Sequence, residues 1–415
     1  MAGSRDRQYR PRSGSDASRV EIAVIGAGPA GLTAAIALAA AGIDTALVSK
    51  RPARPDNRTT ALLAGSVRAL ETLGVWESCR DQAAPLEAIR IIDDTRRLIR
   101  APEVVFHAAE IGLEAFGHNI ENQHLVAALD RRAANLPQLA RIDQAAAAIE
   151  PEADHVRVRL ADGSRIEARL VIGADGRRSL CRAAAGILTD AFDYGQAALT
   201  LNLRHTRPHA GVSTEFHTEG GPFTLVPLTG MRSSLVCVVS SREAERLGAL
   251  PAPALTQEIE RRAHFILGKI ALETEPGIFP LGVETARSVS ARRTALVGEA
   301  AHVLPPIGAQ GLNLGLRDAA TIAELAAAAR QAGGDPGSME LLARYETSRR
   351  ADVTTRAFAV DLLNRSLLSD FLPIQGIRGL GLYLVGRIGP LRRALMREGV
   401  APTLAAPRLM RGEAL

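Results

Sequence analysis

The six residues Gly26-Ala-Gly28-Pro-Ala-Gly31 restrict this chain more than any other stretch. They follow the apolar run Val20 to Ile25. They open a segment, Pro29 to Gly42, that reads as a helix with proline in its first turn and glycine at its end. Thr45 to Val48 reads as a second strand. Strand, glycine turn and helix in that order make the opening βαβ unit of a doubly wound fold. The first glycine permits the tight turn, the second lets a pyrophosphate approach the backbone, and the third lets helix and strand pack closely. Pro29 and Ala30 lie in the same cradle. The motif predicts a dinucleotide site and does not by itself distinguish FAD from NAD.

The end of the second strand departs from that pattern. A carboxylate is expected there to hold the ribose hydroxyls, but the chain reads Ser49-Lys50-Arg51. Three readings stand: an NADP site whose 2′-phosphate meets Lys50 or Arg51, an FAD site with a substituted ribose contact, or a plain loop.

Three further motifs carry candidate chemistry. In Asp56-Asn-Arg58-Thr-Thr-Ala-Leu, Arg58 either pins a phosphate or is an exposed structural residue. In Gly173-Ala-Asp175-Gly176-Arg-Arg-Ser179, Asp175 follows a buried strand at the ligand-binding edge of the sheet, or caps a helix. The third, Gly298 to Asp318, joins the apolar Thr294 to Gly298 to a helix starting near Gly311, through Pro305-Pro306 and a glycine-rich turn. A rigid turn delivering free N–H groups at a helix start is a cradle for an anionic or electron-rich ligand. Glu299 stands where a carboxylate accepts hydrogen bonds from sugar hydroxyls. His302, between Ala301 and Val303, is read as a packed structural residue before a catalytic one.

The rest of the chain alternates in character. Arg58 to Leu73 and Asn122 to Leu136 read as helices, and Val156 to Leu170 as a hairpin about Asp162-Gly163. Residues 190–285 show period-two alternation, predicting an antiparallel sheet with one solvated face. Met339 to Leu368 reads as a long helix. The fold expected is α/β: a Rossmann-like dinucleotide-binding domain from 20–185 and 286–335, interleaved with a β-sheet substrate domain at 186–285. C-terminal helices follow at 336–415, and a disordered tail precedes at 1–19. Net charge is +5, carried almost wholly by arginine, with no basic block interleaved with aromatics, so nucleic-acid binding is not expected. Three distant cysteines give neither a disulfide framework nor a metal site.

Taken together, these motifs resemble the flavin-dependent aromatic hydroxylases of the p-hydroxybenzoate hydroxylase fold, over about Val20 to Met396. Within that group the chain is most similar to the ubiquinone-biosynthesis hydroxylases. Supporting pieces are Ile120-Glu-Asn122, Pro222 to Pro227 with Arg232 to Leu235, Tyr345 with Arg349, and Gly379 to Leu382 with Pro390 to Met396. The resemblance implies FAD as cofactor, NAD(P)H as reductant and O₂ as co-substrate. It implies a C4a hydroperoxide of the flavin that hydroxylates the ring of a polyprenylated phenol. Gly26, Gly28 and Gly31 would take the pyrophosphate, with Arg58 and Asn122 beside the flavin. Asp175 would serve both FAD and the nicotinamide. Glu299, where the family usually has Asp, would hold the ribityl chain. Pro305, Gly308, Gln310, Gly311, Leu312 and Asn313 would wall the isoalloxazine. No side chain is assigned as acid or base.

Other functions fit the same motifs less fully: hydroxylation of a small soluble aromatic, flavin-dependent reduction of prenyl chains, or a non-catalytic flavin-binding scaffold. Residues Arg365 to Arg411 hold eight arginines against Asp370 and Glu398, close to Phe371, Leu372, Ile374, Ile377, Leu380 and Leu382 to Val385. That mixture reads either as a peripheral contact with anionic lipid or a biosynthetic complex, or as a packed helix pair. The expected location is the cytoplasm, peripheral to the inner membrane.

Overall fold

The computed structural model describes residues 18–50, 56, 58–95, 100–306, 308–368, 388–400 and 406–415. A parallel sheet forms the first layer. Its strands run Thr294–Leu296, Arg165–Gly173, Ser18–Ile25, Thr45–Val48 and Leu139–Ile142 in spatial order. Ile22, Val24, Leu170 and Ile172 sit side by side in register, all buried, as a sheet covered on both faces requires. The helix Pro29–Ala40 lies on this sheet and is buried on nearly every side. It packs against the helices Asn122–Ala134 and Gln310–Gln331. Strand Ser18–Ile25 begins two residues inside the stretch read as tail, because Ser18 and Arg19 already pair with Ile166 and Glu167.

The second layer is a nine-stranded sheet built largely from antiparallel strands. Thr189–His205 pairs with both Arg232–Ser240 and Gly277–Ala286, and Gly221–Leu228 bridges to Val212–Thr218. One face carries Leu199, Leu203, Phe216, Phe223, Leu225 and Leu235. Two helices that periodicity did not reveal, Ser241–Gly248 and Ala252–Arg262, pack there through Leu247, Leu255 and Ile259. The face expected to be solvated looks instead into a cavity between the layers.

Two further expectations change. The strands Ala88–Asp93 and Val104–His107 fall inside 20–185 but join the second sheet, Ala88–Asp93 lying parallel to Val212–Thr218. A contiguous boundary at 186 therefore does not describe this fold. Arg58 to Leu73 is not one helix: Thr59–Leu63 is a strand paired with Gly117–Glu121, and the helix is Ala64–Thr72. Two adjacent β-branched threonines favour the strand. Gly117 lets the backbone oxygen of Leu62 come where a Cβ would sit at 1.9 Å.

The helix Met339–Leu368 appears as read from sequence. No described helix is long and apolar enough to cross a membrane. The apolar residues 371–385 that suggested a lipid contact lie outside the described residues.

Candidate functional site

The stretch after Thr294–Leu296 leaves the parallel sheet, and His302–Val303 pairs with Glu284 and Thr285 in the other layer. The chain then turns back through Pro305-Pro306 to the helix Gln310–Gln331. This crossing closes one side of a cavity of about 2600 Å³. The space exceeds a drug-sized pocket several-fold, room for a large cofactor together with a substrate.

Two helix N-termini face this cavity. Gly28 precedes Pro29–Ala40 and Ala309 precedes Gln310–Gln331. Neither helix start is satisfied by a side-chain cap. Unpaired N–H groups and the positive dipole end attract negative charge. The glycines around them divide by physical role. Gly26 has φ +108°, and a Cβ there would meet the Ala174 carbonyl oxygen at 2.3 Å; at Gly31 one would meet the Gly26 oxygen at 2.0 Å. Those two are demanded by protein packing. At Gly28 and Gly311 a Cβ would meet nothing within 4 Å. Neither has a positive φ, so only a group entering the cavity gives a reason for bare backbone there.

Arg58 lines the cavity with its guanidinium held bidentately by Asp56, at 2.8 Å from both Nε and Nη2. Asn122 Nδ2 donates to the same carboxylate at 2.9 Å, and Thr60 Oγ1 donates to Asn122 Oδ1 at 2.6 Å. Burial pushes the Asp56 carboxyl up, but the hydrogen bonds from Arg58 and Asn122 outweigh it and hold it below its usual range. The fixed guanidinium lies 5.1 Å from the Phe279 ring centre. Glu299, exposed on the cavity wall, acts on Arg58 electrostatically.

Across from this, the second sheet presents two polar rows. Register aligns Glu215 with Thr224, Val236 and Thr200 in one, and Val226 with Ser234 and Asn202 in the other. All of them line the cavity. Glu215 is bonded to His217 Nε2 at 2.7 Å. Ser234 accepts from Thr59 Oγ1 at 2.9 Å, which ties the floor to the Arg58 segment. Leu86, Ile89 and Phe116 form an apolar end.

Gly28, Pro29, Ala30, Gly31, Arg58, Asn122, Glu299, Gly308, Gln310, Gly311 and Leu312, expected from sequence at a cofactor site, all line this cavity. Four expected residues do not. Gly26 sits behind the turn. Asp175 faces its own helix: it accepts from Ser179 Oγ at 2.6 Å and from the Leu180 and Cys181 N–H groups at 2.7 and 3.1 Å. Its capping reading is the one the structure displays, and its neighbours Gly176 and Arg177 reach the cavity instead. Pro305 is buried, leaving the outward Pro306 on the wall. Asn313 is a staple. Its Oδ1 accepts from Leu63 N–H and Ser66 Oγ at 2.9 and 2.7 Å, and its Nδ2 donates to the Ala61 and Ala309 oxygens at 2.8 and 2.6 Å. It thereby holds the left-handed turn at Ala309 (φ 55°) that aims the helix start.

Behind the wall lies a charged cluster that spacing alone could not assemble. Asp318 Oδ2 meets His302 Nε2 at 2.6 Å and the Gly298 N–H at 3.0 Å, while Oδ1 accepts from Arg349 Nε at 2.7 Å. Arg349 also reaches Asp352 at 2.7 Å, and Tyr345 donates to the Leu296 oxygen. His302 is fully engaged at Nε2, whereas its buried Nδ1 has no hydrogen-bond partner. Arg182 links the layers through Glu284 and the Ala300 oxygen, both at 3.0 Å.

Burial works to raise the Asp318 carboxyl. The charges of His302 and Arg349, with the hydrogen bonds, overcome it and hold the pKa at about 2, below the ordinary 3.8. A depressed carboxyl stabilises the fold fully above pH 3.8 and loses that contribution as pH falls towards 2. We expect a loss on the order of 2 kcal/mol across that window. Urea unfolding from pH 5 to pH 2 checks it; an Asp318→Asn chain should show a shallower fall, and equal slopes would refute the assignment.

A model of the family described as FAD binding domain matches residues 19–358. The chain is 35% identical over 412 residues to ubiquinone hydroxylase UbiL of Rhodospirillum rubrum, spanning 97% of this chain and 95% of that one. It is 31% identical over 385 residues to the 3-demethoxyubiquinol 3-hydroxylase of Escherichia coli, covering 91% and 97%. Among solved structures, p-nitrophenol 4-monooxygenase PnpA from Pseudomonas putida aligns with a TM-score of 0.76 at 18% identity. That alignment covers 92% of this chain and 98% of that one, and at such identity it speaks for the fold.

Proposed function

The chain belongs to the FAD binding domain family, and from that premise we propose that it is an FAD-dependent monooxygenase of ubiquinone biosynthesis, hydroxylating the ring of a polyprenylated phenol. One observation carries the reading: two uncapped helix N-termini and a polar sheet face enclose a single cavity. The bare backbone at Gly28 and Gly311, with nothing of the protein in the space a side chain would take, fits the flavin dinucleotide. When bound, FAD reduced by NAD(P)H supplies oxygen transfer from O₂ to the ring.

This chain's own residues do the positioning. Gly28 and the N–H groups of Pro29–Ala40 receive the pyrophosphate. The start of Gln310–Gln331 turns its dipole towards negative charge on the isoalloxazine. Arg58, held by Asp56, whose carboxylate Asn122 steadies in turn, would lie beside it. Thr200, Thr224 and Ser234 offer hydroxyls to the polar head of the substrate, while Leu86, Ile89 and Phe116 receive the start of its prenyl tail. The layers over the cavity exclude water from the reacting ring. Peripheral attachment to the inner membrane suits a substrate dissolved in lipid.

The test is turnover by the FAD-loaded chain with a short-tailed prenylphenol, NAD(P)H and ¹⁸O₂. A product carrying one ¹⁸O on the ring is expected, with the label absent when only water is labelled. Prenyl reduction without stoichiometric O₂ consumption, or no stimulation of NAD(P)H oxidation, would overturn the reading.

A further inference from the structure

The missing ribose carboxylate at Ser49 leaves a question the cavity answers. Val48 and Ile142 are register partners at the ends of adjacent parallel strands. The Ser49 N–H donates to the Ile142 oxygen at 3.1 Å, which places Ser49 and Asp143 at the same level of the sheet edge. Neighbouring strands run about 4.8 Å apart, so a carboxylate on one reaches ground served by the other. Ser49 and Asp143 both line the cavity, and Asp143 is exposed to it. Beside them, Val126, Ala127, Leu136 and Leu139 form an apolar slot suited to a planar base. Asp130 also lines the cavity, but it sits on the helix Asn122–Ala134 and not at a strand end.

The geometry points to Asp143 as the residue that holds the adenosine ribose of FAD, a carboxylate moved from the end of one strand to the end of the next. This rests on the FAD-binding reading above and adds to it a residue of this chain. A ribose diol donates two hydrogen bonds, and a carboxylate accepts both through its two oxygens. Ser49 offers one short hydroxyl, which in the structure donates to the Lys50 oxygen at 3.3 Å. The carboxylate function at this level of the sheet edge therefore comes from Asp143. Acidity there opposes a 2′-phosphate, so this end takes an unphosphorylated ribose rather than that of NADP.

The test reads FAD affinity by equilibrium dialysis of the FAD-loaded full-length chain, following free flavin fluorescence. Asp143→Asn should weaken FAD about 20-fold, the loss of hydrogen bonds to a charged acceptor. The concentration of ADP needed to displace FAD should shift so that ADP's own affinity falls by the same factor, since ADP keeps the ribose. The double variant Asp143→Asn with Ser49→Glu should recover affinity to within about 3-fold, because it restores a carboxylate at the neighbouring strand end. Unchanged affinity in Asp143→Asn would overturn the inference. So would a loss that Ser49→Glu does not recover, which would mark Asp143 as structural. Failure of the parent chain to bind FAD would instead overturn the functional reading.

Discussion

A Gly28→Val chain should fold as stably as the parent and lose FAD binding by at least about 100-fold, an effect of backbone access alone. Gly28 has φ −68° and ψ 171°, extended backbone that valine adopts without strain, and no protein atom lies within 4 Å of the added Cβ. Gly31→Ala makes the contrast. Its Cβ would meet the Gly26 oxygen at 2.0 Å and the Ala174 Cβ at 2.9 Å, so it should cost both stability and cofactor. Melting curves of the FAD-free chains, beside FAD dialysis, separate the two effects. A Gly28→Val chain that retains FAD would mean the pyrophosphate does not pass over this turn.

Asp318→Ala should be the most destabilising change in the cluster behind the wall. Asp318 is 1% exposed and Arg349 3%. Removing the carboxylate strips the buried Arg349 of one of its two carboxylate partners and the buried His302 of its Nε2 partner, which costs about 3–5 kcal/mol. It also frees the Gly298 N–H, at the point where the chain leaves the parallel sheet. Urea denaturation at pH 7 measures the loss, and a change under about 1 kcal/mol would show the cluster to be weakly coupled. Asp318→Asn, which keeps one acceptor oxygen and fills the same space, should lie between parent and alanine variant.

The dinucleotide half was legible because its signals are local. The run to Ile25, the glycine spacing and the helix start at Pro29 all fall within a few residues. Asn122, Arg58 and Glu299 reach the same cavity, as the resemblance implied. Asp175 and Asn313 were legible as important and not as to their partners. A carboxylate that caps a helix and one that meets a ligand look alike until the chain direction is known. A buried asparagine that ties Ala61, Leu63 and Ser66 to its own helix start depends on contacts about 250 residues apart. The pairing of Ala88–Asp93 with Val212–Thr218 was invisible for the same reason: parallel partners need no turn between them to announce the register.

The passage of one continuous stretch from Leu296 in the first layer to His302 in the second has a mechanical meaning. It is a seam, and Arg182 through Glu284 stitches it a second time. The two layers therefore cannot swing apart at this edge like the halves of a clam without breaking strand pairing and a part-buried ion pair. Traffic into the cavity is confined to its other margins. The edge stays fixed, and a ligand reaches the cavity from the side instead of being enclosed by a closing jaw.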